Sequence, residues 1–249
     1  MIGQILQQTG HRPWPLPSKP WVMAQSWHEL LFAHWPVQAD ALRPHVPAAL
    51  TIDTLEGRAW IGVVPFRMTG VRLRFTPALP WLSAFPELNV RTYVSFGGKP
   101  GVWFFSLDAA NPLAVAAARA WFGLPYFRAR MRCVEKDRWV RYRSERKHPG
   151  APAAVLKASY RPLGKTFQPQ GGSLEHFLTE RYCLYATKSG GRIYRGEIHH
   201  PAWSLQMAEA EITENSMAEA AGGSLPSGRP LLHFARRQDM VAWAPERLI

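Results

Sequence analysis

Residues 87–131 constrain this chain more than any other stretch, because they read without interruption as strand, turn, strand, helix, turn and strand. From 87 to 96 polar and apolar residues alternate, which puts Glu87, Asn89, Arg91 and Tyr93 on one face and Leu88, Val90, Thr92 and Val94 on the other. That spacing predicts a half-buried strand. Gly97, Gly98 and Pro100 break the alternation and 102–107 resumes it, which predicts a β-hairpin with a longer loop. Asn111-Pro112 then offers a helix cap and a first-turn proline to the alanine-rich segment 113–122, where Leu113, Ala117 and Trp121 recur every four residues. Gly123 and Pro125 end the helix.

The rest of the chain extends a strand-rich pattern. Strands are predicted over 25–37, 51–54, 58–66, 68–75, 126–134, 138–147, 153–160, 182–187 and 192–199, with short helices at 38–45 and after Ser173. Residues 202–221 predict a partly helical segment ending at Gly222-Gly223, and 231–243 a last hairpin. The proline-rich stretch 76–86, holding Trp81 and Phe85, predicts a loop that either covers a site or packs. Prolines 13, 15, 17 and 20 make residues 1–20 an extended arm, with Trp14 and Trp21 to pack it on a single domain spanning 21–249. About ten strands and few helices imply a mainly β fold, an antiparallel sheet or closed barrel, and 249 residues with 47% hydrophobic content suffice for one large core.

Composition narrows the function classes. No apolar run of about 18 residues occurs, so no membrane span is expected. The opening residues lack the basic start and apolar core of a signal peptide. Two cysteines, Cys133 and Cys183, are too few for a disulfide framework and read as buried thiols, so a cytoplasmic location is expected. The net charge of +12 suits an anionic partner.

A resemblance adds to this reading. In the acetoacetate decarboxylase family a strand glutamate is followed by a hairpin ending in aspartate and by a helix closing with Gly-Arg-Glu-x-x-Gly-x-Pro-Lys-Lys. This chain is similar in Glu87, Asp108, Arg119, Gly123 and Pro125, but has Ala120 for the glutamate and Tyr126 and Phe127 for the two lysines. It more closely resembles the YqjF-like family of unknown function within that superfamily, through HWPV at 34–37, LNVRTYV at 88–94, LPYF at 124–127 and LLHFA at 231–235. The resemblance implies a cone-shaped, mostly antiparallel β-barrel with an internal pocket. It also implies that the Schiff-base lysine is absent, because a phenol cannot form an imine with a carbonyl. Of the other lysines, Lys157 is the least unlikely substitute, because it lies inside an apolar strand.

The candidate site follows from these residues. Glu87 and Tyr126 are the candidate catalytic groups, and Arg91 and Arg119 the candidate ligand-binding groups, for a small anionic or carbonyl-containing molecule. No metal and no cofactor are expected: His199 and His200 point to opposite strand faces, and His34 and His233 make no ligand motif with them. Glu87 is expected within ion-pair or one-water distance of Arg91 or Arg119, with Tyr126 facing the same cavity, although four strand residues separate Glu87 from Arg91 by about 13 Å. Strand alternation instead groups Tyr126 with Arg128, Arg130 and Arg132, a conflict the sequence leaves open. The alternative reading is a non-enzymatic module that uses the basic hairpin 128–147 (Arg128, Arg130, Arg132, Arg138, Arg141, Arg143, Arg146 and Lys147) on a polyanion. Nucleic acid is disfavoured because no recognition motif is present and only part of the arginine set is accompanied by Trp139 and Tyr142. Whether the chain is a monomer or a homo-oligomer stays open.

Overall fold

The computed structural model describes residues 2–79, 82–188, 190–222 and 225–249. Pro80, Trp81 and Gly223, which entered the sequence expectations, lie outside them. The strands are β1 (Met23–Val37), β2 (Thr51–Ile52), β3 (Ala59–Leu73), β4 (Phe85–Phe96), β5 (Lys99–Ala109), β6 (Tyr126–Lys136), β7 (Trp139–Arg146), β8 (Val155–Phe167), β9 (Cys183–Lys188), β10 (Arg192–His199), β11 (Leu205–Asn215), β12 (Leu231–Ala242) and β13 (Glu246–Arg247). The helices are α1 (Ile2–Gln7), α2 (Ala39–Leu42), α3 (Pro112–Phe122) and α4 (Leu174–Thr179).

All thirteen strands belong to one sheet, and its pairings close on themselves twice. One ring runs β5, β6, β7, β8, β11, β12, β1, β3, β4 and back to β5. A second runs β5, β9, β10, β12, β1, β3, β4 and back. The strands β12, β1, β3, β4 and β5 are therefore a wall common to both rings. Among the described residues, only β5–β6 and β5–β9 are parallel. The expected mainly β, mostly antiparallel architecture is what is found.

This common wall explains why β4 is not half-buried as its alternation predicts. Leu88 and Val90 pack into the first ring with Leu31, Ile61, Val63, Tyr142 and Tyr160. Glu87, Asn89 and Tyr93, on the opposite face, are just as buried because they look into the second ring. A strand covered on both sides needs no polar face toward water, so the polar residues of β4 have another use.

Several local expectations hold to the residue. Asn111 Oδ1 accepts from the backbone N of Leu113 and Ala114, Pro112 opens α3, and Gly123 closes it at φ 66°. Ser173 caps α4 in the same way. Others are corrected. Phe96 pairs with Lys99, so the β4–β5 turn is the two residues Gly97-Gly98, both at positive φ, rather than a longer loop. Residues 58–75 give one long strand, β3, rather than two, and Phe85 starts β4. The first twenty residues begin with a helix, and Trp14 and Trp21 pack against the body.

Residues 205–215 form a strand although Met, Ala, Glu and Gln favour helix. Their period is two: Ala208, Ala210 and Ile212 face the first core while Met207 and Glu211 are exposed, and pairing with β8 overrides propensity. Likewise 231–242 is one uninterrupted strand, because β12 needs its full length to pair with β1. Cys183 is a buried free thiol, whereas Cys133 is a half-buried one. No helix among the described residues is long and apolar enough to cross a membrane.

Candidate functional site

The two rings differ in filling. The first holds the main hydrophobic cluster, while the second surrounds a cavity of about 640 Å³. Strand direction gives this cavity an axis. Met23 at the start of β1, Leu73 at the end of β3, Phe85 at the start of β4 and helix α3 lie at one end. At the other lie Arg91 and Arg181, whose guanidinium lies 5.0 Å from the Tyr93 ring.

Glu87 sits between the two ends. It is buried, and its Oε2 accepts a hydrogen bond from Tyr126 Oη at 2.9 Å. Burial pushes its carboxyl up to about 8, the Tyr126 hydrogen bond pulls the other way, and nearby Asp108 pushes further up. Glu87 is therefore mostly a neutral acid at pH 7. Burial, and then the adjacent Glu87, hold the Tyr126 phenol well above its ordinary value. The strand carrying Glu87 is fixed from behind, since buried Tyr142 Oη donates to the Glu87 backbone O at 2.7 Å.

Arg91 occupies the deeper end. The bulge opposite Val90 and Arg91 has its extra residue, Phe105, on β5, so the alternation of β4 runs on unbroken and Arg91 shares the cavity face with Glu87 and Asn89. Nη2 donates to Leu178 O at 3.3 Å, and the guanidinium lies over Phe32 and Tyr93 at 5.3 and 5.6 Å. Its Nε is buried without a partner. Gly62 is required alongside, because a Cβ there would meet the His34 ring at 3.0 Å and Arg91 Cγ at 3.4 Å. His34 Nε2 lies 2.6 Å from Tyr93 Oη, and burial, then Arg91, hold that imidazole neutral. Arg181, the second cation of this end, is already paired with Asp53 at 2.6 Å. Arg91 is thus the guanidinium here without a carboxylate partner among the described residues. No described lysine lines the cavity.

Three of the four candidate residues, Glu87, Arg91 and Tyr126, border this space, and Arg119 does not. Arg119 is exposed on the outer side of α3, where Nη1 donates to the Tyr126 backbone O at 2.7 Å and the guanidinium lies 5.9 Å from the Phe127 ring. The expected ion pair from Glu87 to Arg91 or Arg119 does not form among the described residues: a neutral carboxyl needs none, and Tyr126 satisfies it instead. Both readings of Tyr126 hold. It shares a strand face with Arg128, Arg130 and Arg132, but at its position that face lies beneath α3 and against the common wall, whereas from Arg128 onward the face is bare.

The sequence reading missed the strongest polar contact. Asp108, fully buried, receives Arg146 Nε at 2.9 Å and Nη2 at 2.7 Å, with the guanidinium 4.1 Å from the Phe127 ring. Arg146 consequently leaves the basic face of the 128–147 hairpin. Its alternation with buried Tyr142 and Ser144 was the available signal. Lys157 points outward to Glu214 at 2.6 Å.

The fold defines the class: a mainly β protein with an acetoacetate decarboxylase-like fold. The chain superposes on acetoacetate decarboxylase from Legionella pneumophila with a TM-score of 0.62, covering 98% of this chain and 95% of that one at 13% identity. It superposes on the enduracididine biosynthesis enzyme MppR complexed with pyruvate with a TM-score of 0.63, covering 95% and 93% at 13% identity. Within that class the chain belongs to the family described as "Uncharacterized conserved protein" (DUF2071), which matches residues 24–239. It is 47% identical over 228 residues, 92% of this chain and 93% of the relative, to the uncharacterized protein YqjF of Bacillus subtilis (strain 168).

Proposed function

We propose that this protein binds a small carboxylate carrying a carbonyl group in the second ring, without a Schiff base, and exchanges a proton at the carbon beside that carbonyl. The observation that carries this is the hydrogen bond between buried, neutral Glu87 and half-buried Tyr126 in the same largely apolar cavity as a guanidinium with an unused donor. Arg91 supplies a charge-assisted contact to the carboxylate. A buried carboxyl that titrates near neutral pH serves as both acid and base. In its ionised form Glu87 takes the C–H proton, the electron pair moves into the carbonyl as an enolate, and Tyr126 turns its O–H from Glu87 to the enolate oxygen. The pyruvate in the MppR structure supports the ligand class. The two free thiols fit a reducing, cytoplasmic setting.

The rival use of the 128–147 hairpin is less well supported. Tyr142 is buried, Trp139 lies beneath Arg161, and Glu145 holds Arg130 and Lys147, so that face lacks free stacking aromatics and part of its charge.

Titration calorimetry with pyruvate and 2-oxobutyrate, on the protein and its Arg91→Met variant, tests the binding. Arg91→Met is expected to lose at least about tenfold in affinity, the loss of one charge-assisted contact. Solvent deuterium exchange into the methyl group of pyruvate, followed by NMR, is expected to rise as pH climbs toward 8 and to be lost in Glu87→Gln. Borohydride added with pyruvate is expected to trap no lysine adduct. A stoichiometric adduct, or binding indifferent to Arg91, overturns the proposal.

A further inference from the structure

The cavity is far too large for a three-carbon acid. Its volume of about 640 Å³ equals that of on the order of twenty waters at about 30 Å³ each, and falls in the range that encloses drug-sized ligands. Its polar groups are also spread out. Glu87 and Arg91 are four residues apart on β4, about 13 Å of strand, so a short acid held between their two side chains leaves the rest of the cavity unfilled.

The end beside α3 has a different lining. Leu113, Ala117 and Trp121 repeat along one face of the helix, and they border the cavity together with Val71, Leu73 and Leu79. These side chains continue outward as an apolar rim: Leu113 is 58% and Trp121 48% exposed, and Leu73 and Leu79 are exposed as well. A helix whose sole task was to cover the barrel would turn these side chains inward. Here they remain in contact with both cavity and solvent. The cavity thus grades from cationic and hydrogen-bonding at Arg91, through Glu87 and Tyr126, to a largely apolar mouth at α3, Val71, Leu73 and Leu79, with Arg72 and Thr76 on its rim.

Resting on the function proposed above, we propose that the ligand is an amphiphilic oxo acid. Its carboxylate end lies toward Arg91, and an apolar chain runs past Glu87 and Tyr126 to leave between α3 and the Leu73–Leu79 edge. The substrate class is then a medium-chain or aryl-substituted oxo acid, and the reactions supplying it are those that build or shorten acyl or arylalkyl chains. Pyruvate would occupy only the head of such a site.

The test is a chain-length series of straight-chain 2-oxo acids, from pyruvate to 2-oxooctanoate, measured by calorimetry on the full chain. Burial of each methylene predicts about fourfold tighter binding, hence on the order of a thousandfold from pyruvate to 2-oxooctanoate. Ala117→Trp places an indole in the apolar passage at a solvent-exposed helix position, and is expected to reduce the affinity ratio between these two acids at least tenfold. Circular dichroism checks that the variant remains folded, and Leu79→Asp, at a second exposed position, is expected to act in the same direction. If short and long acids bind equally, with Arg91 still required, the amphiphile inference is overturned and the proposed function stands. If neither binds, both fall.

Discussion

The two faces of the common wall are built from the same strands and put to opposite uses. On β4, Leu88 and Val90 are fixed in the main hydrophobic cluster of the first ring, while Glu87, Asn89 and Arg91 border the cavity of the second. Both interiors hold charge, handled differently. In the first ring Asp108 is bound bidentately by Arg146, whose Nη1 and the neighbouring hydroxyls of Ser106 and Ser144 are the groups left over. In the second, Glu87 is left neutral beside a phenol, and Arg91 keeps an unpartnered Nε. Paired charge in a packed interior holds a structure together. Unpaired polar groups around a void are what a ligand can use.

That contrast is breakable, and the largest effect is expected at the paired charge. Asp108→Ala strands a buried guanidinium and is expected to cost about 3–5 kcal/mol in denaturant unfolding; a cost under about 1 kcal/mol would show that the pair is solvated and the first ring is not a closed core. Leu88→Ala opens a hole in the packed interior, with an expected loss of about 2–5 kcal/mol. Its neighbour Asn89→Ala removes a cavity-wall group whose buried Oδ1 has no partner, and is expected to cost less than about 1 kcal/mol. Equal losses for these adjacent residues would erase the distinction between the faces.

Glu87→Gln sharpens the comparison by pH. A carboxyl whose folded-state value is raised keeps its proton while the unfolded chain releases it, so the folded state loses stability as pH rises from the unfolded value near 4.3 to about 8, and no further above it. Below the unfolded value the carboxyl is protonated in both states. The variant, isosteric with the neutral acid, lacks that loss. Its unfolding free energy should therefore gain on the wild type between pH 5 and 8 by on the order of a few kcal/mol, seen as a widening difference in Tm. A constant difference would mean that Glu87 is ionised throughout. The smallest effect is expected outside both rings: Arg130→Ala, at an exposed ion pair with Glu145, should change stability by no more than about 1 kcal/mol.

Much of the local structure was legible. The Asn111-Pro112 cap, the Gly123 stop and the Ser173 cap are decided by groups within a few residues, so reading them requires no knowledge of the fold. Strand periodicity likewise put Glu87, Asn89 and Arg91 on one face. It misjudged what that face meets, because a second layer of sheet and a patch of solvent leave the same alternation in a sequence. Residues 205–215 were misread for the same reason: their propensity favours helix, and only the neighbouring β8 and β12 make them a strand.

The sequence by itself determined the strand-rich mainly β class, the α3 boundaries and the shared face of β4. Tertiary structure alone decided that the sheet closes twice, that Tyr126 lies under α3 rather than with the exposed arginines, that Arg119 stays outside, and that Arg146 turns inward to Asp108. The reason is distance along the chain. Caps and alternation are set by neighbours in sequence. A buried carboxyl finds its phenol 39 residues away and its neighbour Asp108 finds an arginine 38 residues away, and those meetings depend on which strands pair and on how the rings close.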